Sequence, residues 1–413
     1  MVCSVSAGAD VTEAQVAEWV AQLNAPTAAV RSAAIQHLEA AGPDILPWLP
    51  ELDRETPPAV RDALTRLRQQ LERELARRSI LPSRVTLHAA ATLESALEAL
   101  RNQTQNPLQI KGLSETLLQR RWDIDWKDAA YWNAVTDLEQ RTQLSIRWNN
   151  EVESFAVAAA PTSTASISGP ARFVLDGAQL RSLQEDADRR LLRCAARLQM
   201  EPRLRPLFAQ VKMSDWTVAA DNHPQEPWNP AADYELSFPD RTSEITLPLD
   251  FRWTAAADAT WRMAGRATVH LAAGREVLSF AGPTLIRGAI QKRGGVSARV
   301  QDARFEDDPQ GGLRARIRIV VNYEQGGPAF ESHRVGLFHR SAWLEDRAAA
   351  KIPATDFEVT AEADGGLGIE YRFEKLTGKP VDYRFNYEAP TLLLPVVFDF
   401  SVADLPAPRL AVE

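Results

Sequence analysis

The sequence predicts an α+β multidomain fold: N-terminal α-helical hairpins, a small α/β module of two strand-helix-strand units, then two antiparallel β-sandwich domains. Three observations predict it. Apolar residues recur at helical spacing from Thr12 to Arg78, a strand-helix-strand pattern occurs twice between Arg84 and Val157, and beyond Pro170 the apolar period becomes two. The expected divisions are a flexible N-terminus over 1–11, a helical region over 12–78, the duplicated module over 84–157, an Ala/Thr/Ser-rich linker over 158–170, and β-sandwiches over 171–282 and 283–413.

Composition bounds the answer before any element is read. The chain has 413 residues, enough for about two to four domains. Apolar content of 45% and charged content of 25% are ordinary globular values and argue against wholesale disorder. A net charge of −8 argues against a general binder of nucleic acid or anionic membrane, because those surfaces need a basic face. No run approaches the ~18 consecutive apolar residues of a membrane-spanning helix. Cys3 and Cys194 provide neither a disulfide framework nor a thiolate metal cluster. Val2 to Ala9 reads like the end of a signal peptide, with Ala7-Gly8-Ala9 before Asp10, yet it lacks a basic start and an adequate apolar stretch. The expectation is a signal-peptide remnant behind a start site placed too late; the alternative is an ordinary flexible terminus.

In the helical region, Pro26-Thr27-Ala28-Ala29-Val30-Arg31 recurs as Pro57-Pro58-Ala59-Val60-Arg61, with the Val-Arg pair offset by 60 − 30 = 30 residues. Proline suits a helix's first turn, where its missing N–H would have had no partner. Ala41-Gly42-Pro43 breaks the helices. Val-Arg-x-x-Ala-Leu on the second helix of a hairpin resembles HEAT-type repeats. About two units are present, fewer than a free-standing solenoid needs, so the resemblance implies a helical pedestal. Arg31 and Arg61 are expected to be structural, bonding carbonyls or carboxylates between helices. Arg77 to Ser83 is read as a linker.

In the module, Val85 and Leu87 precede a helix with Leu93, Ala96, Leu97 and Leu100 on one stripe, followed by Leu108 and Ile110. Trp122, Ile124 and Trp126 precede a second helix through Ala134, Val135 and Leu138, followed by Leu144 and Ile146. Ala96, Leu97, Leu100, Thr104 and Gln105 match Ala134, Val135, Leu138, Thr142 and Gln143 at a constant offset of 134 − 96 = 38. Thr92 is expected to cap the first helix, and Pro107 to stop it by holding Asn106 away from helical angles. Phe155 and Val157 add a last strand. The pattern suggests one small open sheet with both helices on one face. It resembles the short N-terminal domain of secretins and of signalling TonB-dependent receptors, over roughly Arg84 to Val157. That resemblance implies an interaction module working outside the cytoplasm, with no catalytic residues to carry over. In this chain Gln105 and Gln143 stand where that family has a glycine.

Beyond Pro170, Leu192 to Met200, Ile245 to Phe251 and Trp261 to Leu271 alternate as half-buried strands. After an expected boundary at Gly282-Pro283, the same holds for Val296/Ala298/Val300, Leu313 to Tyr323, Leu367 to Phe373, Val381 to Tyr387 and Val396 to Val402. Turn signals such as Arg293-Gly294-Gly295, Asp364-Gly365-Gly366 and Thr377-Gly378-Lys379-Pro380 separate them. One apolar face per strand at this spacing implies packed antiparallel sheets. This half resembles the tandem β-sandwich domains of exported bacterial proteins.

No nucleotide loop, nucleophile elbow, zinc-protease or dinucleotide signature is present, so no catalytic, cofactor-binding or metal-ligating residue is assigned and no cofactor is expected. His333 and His339 share a strand face but lie ~20 Å apart by the rise per residue, too far for one ion. Ser332 and His333 point to opposite faces and cannot act as a nucleophile–base couple. Glu306-Asp307-Asp308 offers too few oxygens for calcium alone. The stripe Arg314, Arg316, Arg318, with Arg299 and Arg304 nearby, suits either a docked polyanion or cross-strand acids, and the net negative charge favours acids. Trp122, Trp126, Trp132 and Trp148 suit a core better than a sugar platform.

The expected function is therefore a non-enzymatic, exported scaffold or protein-interaction protein of the bacterial cell envelope, periplasmic or secreted. Its expected partner is another envelope protein, not nucleic acid. Alternatives are a carbohydrate- or peptide-binding protein using a sandwich groove, a hydrolase with an unrecognised site, and a cytoplasmic location.

Overall fold

The computed structural model describes residues 11–50, 56–110, 113–149, 154–158, 163–183, 186–239, 242–282, 285, 288–293, 295–309, 311–323, 342–363 and 366–410. The fold is mixed α+β with several antiparallel sheets, and it divides into two compact units, Met1–Ser79 and Ile80–Glu413.

The first unit is helical: α1 (Glu13–Gln22), α2 (Ala28–Ala41), a 3₁₀ turn (Pro43–Trp48) and α3 (Pro58–Ser79). Thr12 starts α1 with a reciprocal cap, its hydroxyl accepting from Gln15 N while Gln15 Oε1 accepts from Thr12 N at 2.9 Å. Gly42, at φ +77, ends α2 in a backbone region that a Cβ disfavours. Val16, Leu38, Ile45, Leu64, Leu67 and Leu71 share its core. The two related arginines do the same work: Arg31 Nη1 donates to Pro26 O at 3.0 Å and Arg61 Nη2 to Thr56 O at 3.0 Å, each bonding the loop before its own helix. Arg77 to Ser79, expected in a linker, are the last turn of α3.

The second unit opens with the duplicated module: β1 (Arg84–Thr92), α4 (Leu93–Thr104), β2 (Leu108–Ile110), α5 (Glu115–Gln119), β3 (Arg121–Ala130), α6 (Tyr131–Thr142), β4 (Ser145–Asn149) and β5 (Ser154–Ala158). Thr92 accepts from Ser95 N, as a cap should. The two copies match closely. Both main helices have 12 residues and both end on a glutamine in the left-handed region, Gln105 at φ 57 and Gln143 at φ 58. The turn that glycine would favour is thus made without it.

The single open sheet expected here is two sheets. The first strands of the copies pair antiparallel as β1–β3, while β5 joins β2 in parallel and β4 antiparallel. The reason lies in the second helix. Beyond the stripe Ala134, Val135, Leu138 that its sequence displays, α6 also buries Tyr131, Trp132 and Glu139, so it is covered on more than one side, by both module sheets and, at Glu139, by Arg172 of a strand beyond the module.

The β layers follow: β6 (Thr164–Ser168), β7 (Ala171–Leu183), β8 (Asp186–Met200), β9 (Pro206–Lys212), β10 (Thr217–Ala220), β11 (His223–Gln225), β12 (Asp233–Ser237), β13 (Glu244–Trp253) and β14 (Trp261–Ala281). Then come β15 (Ile290–Arg293), β16 (Val296–Asp307), β17 (Leu313–Tyr323), β18 (Ala342–Glu345), β19 (Lys351–Pro353), β20 (Asp356–Ala363), β21 (Gly366–Leu376), β22 (Arg384–Leu405) and β23 (Arg409–Leu410). β6 lies inside the expected linker and pairs with β7.

Three sheets result. The first runs β13-β8-β7-β23 with β6 on β7, the second β11-β10-β14-β22-β18-β19 with β9 and β12 attached, and the third β15-β16-β17-β21-β20. The second lies between the others, and strand parity shows how. In β14, Ala267, Val269 and Leu271 enter a core shared with the first sheet, whereas Leu278 and Phe280 enter a core shared with the third. In β22, Phe398, Phe400 and Val402 join the first core, and Phe385, Tyr387 and Ala389 the second. β14 and β22 keep one register from Met263↔Val402 to Ala281↔Arg384, so odd and even positions face opposite sides throughout. Each outer sheet therefore covers one end of the central pair, on opposite faces.

Phe385, Tyr387 and Val396 to Val402, expected in two strands, belong to a single 22-residue strand, β22, whereas Val381 and Tyr383 precede it, Val381 in a 3₁₀ turn (Pro380–Asp382) and Tyr383 directly after that turn. The apparent break is the face change: Pro390 to Pro395 lie where one core ends and the other begins. Residues beyond the boundary expected at Gly282, namely Phe398, Phe400, Val402 and Leu405, are members of the first core.

Candidate functional site

The aromatic cluster of the module is core. Trp122, Trp126 and Trp132 are buried, and Trp148, partly buried against the same core, meets Phe155 edge-on with ring centroids 5.2 Å apart. Their polar edges are partly used: Trp126 Nε1 donates to Asp137 Oδ2 at 2.8 Å and Trp132 Nε1 to Pro170 O at 2.9 Å. The second bond crosses from the module to the first β layer.

That crossing carries a buried polar joint, which no sequence pattern announced. Glu201, fully buried, accepts from Ser83 N at 3.0 Å, Ser83 Oγ at 2.7 Å, Asn106 Nδ2 at 3.3 Å and Arg203 Nε at 2.7 Å. Glu139 of α6 pairs with Arg172 of β7, both nearly solvent-free, and also accepts from Ile146 N at 2.7 Å. Arg147 of β4 reaches Asp176 at 3.2 Å, which Arg197 holds at 2.6 Å. Burial pushes the Tyr131 phenol up, Glu201 and Glu139 push the same way, and Arg172 opposes them. Tyr131 thus stays neutral, and its buried hydroxyl has no hydrogen-bond partner among the described residues.

The histidines of the described residues are dispersed. His37 stacks on Trp19 at 5.3 Å, His270 on Phe208 at 4.1 Å, and His88 bonds Asp125 across β1–β3. Ser332, His333 and His339 lie outside the described residues, as do Cys3 and the N-terminal segment 1–10. Burial pushes the Cys194 thiol far up and Asp250 adds to it, so no thiolate forms there. Glu306, in the acidic run, pairs with Arg314 at 2.9 Å at the β16–β17 hairpin, whose turn closes by Gly311 N donating to Asp308 O at 2.9 Å. Among the described residues no three of His, Cys, Asp and Glu come together as a metal set, and no helix is long and apolar enough to cross a membrane.

The arginine stripe lies on the outward face of the third sheet, amid acids. Arg318 meets Glu370 at 2.9 Å, Arg304 meets Asp302 at 2.6 Å, and Arg372 meets Asp356 at 2.9 Å and also Glu358. The face is a lattice of alternating charge rather than a basic patch.

Strand edges are closed by side chains. Gln103 of α4 accepts from Thr86 N at 2.9 Å and donates to Thr86 O at 3.0 Å, occupying both groups that a neighbouring strand would use. Arg141, at the equivalent place in the second copy, donates to Asp123 O of β3 at 2.7 Å. Gln291 repeats the amide plug on β14, accepting from Ser279 N at 2.9 Å while donating to Ser279 O. The 38-residue offset links Gln103 to Arg141, but register alone reveals what they touch.

No family model, curated protein or solved structure matches the chain.

Proposed function

We propose that this chain is a non-catalytic scaffold or interaction protein of the bacterial cell envelope, exported to the periplasm or beyond, whose partner is another envelope protein. In this reading the helical unit is a HEAT-like pedestal, the duplicated module is of the secretin and TonB-receptor kind, and the β layers are two sandwiches sharing their central sheet. The observation that carries it is the buried joint. Residue types that elsewhere build reactive sites, Glu139, Arg172, Glu201, Arg203 and Trp132, are hydrogen-bonded to one another or to backbone. They hold the module on the first β layer, which favours rigid presentation of surfaces over chemistry.

The test joins location to contact. In the source bacterium the tagged protein is expected in the periplasmic or extracellular fraction, and photo-crosslinkers placed on exposed faces of β1 and β17 are expected to give one discrete protein adduct. Retention in the cytoplasm would remove the envelope half of the reading, and absence of any adduct from all positions the interaction half.

Carbohydrate or peptide binding rests on a different residue. Trp228 is 39% exposed, with the Arg252 guanidinium 5.8 Å from its ring centroid. A lone indole already covered by a cation is a narrower platform than the aromatic pair a sugar site uses.

A further inference from the structure

Gln103 and Arg141 are two of four side chains that close strand edges in the duplicated module. Each main helix uses two positions for this, related by the repeat, since 139 − 101 and 141 − 103 are both 38. Gln103 of α4 takes the N–H and C=O of Thr86 in β1, and Arg141 of α6 takes Asp123 O in β3. Arg101 Nη1 donates to Leu108 O of β2 at 3.1 Å, and Glu139 Oε1 accepts from Ile146 N of β4 at 2.7 Å. The strand residues repeat as well: 146 − 108 is 38, and 123 − 86 is 37 because β3 carries one extra residue where it passes Thr86. Residues two apart on a helix point about 200° apart. One position of each helix therefore serves the strand before it and the other the strand after it. β1 and β3 make up one sheet, and β2 and β4 are the outer strands of the other, so each has one side without a strand partner among the described residues. Groups on the paired sides are taken by the ladders, and those bonded here are the groups of the outer sides.

An open strand side is a template for another strand. The molecule itself shows which strand fits. β1 pairs antiparallel with β3, its own repeat, from Arg84↔Ala130 to Thr92↔Arg121, so this strand is complementary to a copy of itself, and a second molecule would bring both. We propose that these four side chains guard the module against strand pairing with a second copy of this chain, and leave the faces of its strands, not their edges, open to other molecules. The guard matters most on β1 and β3, nine and ten residues long, because β2 and β4 have only three and five. A carboxamide suits the work: it offers a donor and an acceptor, matching the N–H and C=O of one residue, and adds no new strand edge of its own. The proposal goes beyond the scaffold reading and depends on neither export nor an envelope partner.

The test is sedimentation velocity of the purified full chain from low to high micromolar concentration. Wild type and Gln140→Ala, an exposed neighbour of Arg141 on α6, are expected to sediment as one species whose coefficient does not change with concentration. Gln103→Ala combined with Arg141→Ala is expected to form a dimer at least tenfold more tightly than any that wild type forms, and Gln103→Ala alone to shift the same way by less. Ala90, four residues from Thr86 on β1, turns its N–H to the same outer side. Ala90→Pro added to the double variant removes a donor that an incoming strand needs, and is expected to restore the monomer. Poor folding would give the opposite order, because proline weakens the strand further yet is expected to abolish association. A double variant that stays monomeric throughout, association that survives Ala90→Pro, or equal self-association of wild type and double variant would each overturn the proposal. Should the double variant not fold, a Gln103→Ala chain that remains monomeric overturns it instead. None of these outcomes bears on cell fractionation, so failure here and failure of the envelope reading are separate results.

Discussion

Glu139 and Arg172 meet almost out of reach of water, and their value depends on both being present. Removing two ions from water costs about as much as their attraction returns, whereas stranding one of them costs roughly 3–5 kcal/mol. Glu139→Ala is therefore expected to lower the unfolding free energy by about that amount in urea, and Glu139→Gln with Arg172→Met to recover much of the loss. Packing sets an equally local limit at Gly265, where an added Cβ would lie 2.2 Å from Trp216 Cδ2. Trp216 is buried against Phe173, with ring centroids 5.3 Å apart, and cannot retreat. Gly265→Ala is expected to destabilise by at least ~1–3 kcal/mol and to shift the Trp216 fluorescence toward the exposed value, whereas Gly177→Ala, with open space around it, should do neither. Of these residues the sequence displays only the types. Glu139 reads as an exposed helix position until β7 is known to lie over it.

Elements in this chain are made by local signals and finished by distant ones. The helices α4 and α6 were legible in their apolar spacing, their 38-residue repeat and the Thr92 cap, all of which act within a few residues. Their pairing into two sheets was not, because the partner of an edge strand is chosen by what covers the helices. The long strand β14 does carry its face change in sequence: Val269 and Leu271 are apolar at odd positions, Leu278 and Phe280 at even ones. Within a single sheet such a switch reads as a break between strands, which is why β22 looked like two. The amide plugs belong to this scale too. Gln103→Ala would free both groups of Thr86, and hydrogen exchange at the Thr86 amide is expected to rise at least tenfold with global stability lower by only about 0.5–1.5 kcal/mol. Unchanged exchange would show that Gln103 does not guard that edge.

At the scale of the second unit, the module is fixed to the first β layer by charge as well as by packing. Asp176 of β7 is half-enclosed, which alone would raise its carboxyl; its hydrogen bonds from Arg197 and Ser163, with Arg147 of the module nearby, hold it below the usual carboxylate range instead. A depressed carboxylate favours the folded state above its unfolded value, near ~3.9, and that contribution is lost as pH falls through the lower folded value. Stability is thus expected to fall with acidification below about pH 4, with a shallower fall in Asp176→Asn over the same range, measured by urea midpoints at each pH. An identical slope in the variant would remove Asp176 from the joint. The sequence by itself determined the helices, the duplication and the period-two strands, because each follows from side-chain spacing within one element. The tertiary structure decided the shared central sheet, the buried Glu201 joint and the lattice of alternating charge on the third sheet. Those depend on contacts between residues far apart in the chain, up to 405 − 261 = 144 residues in the β14–β22 pair, which local spacing does not encode.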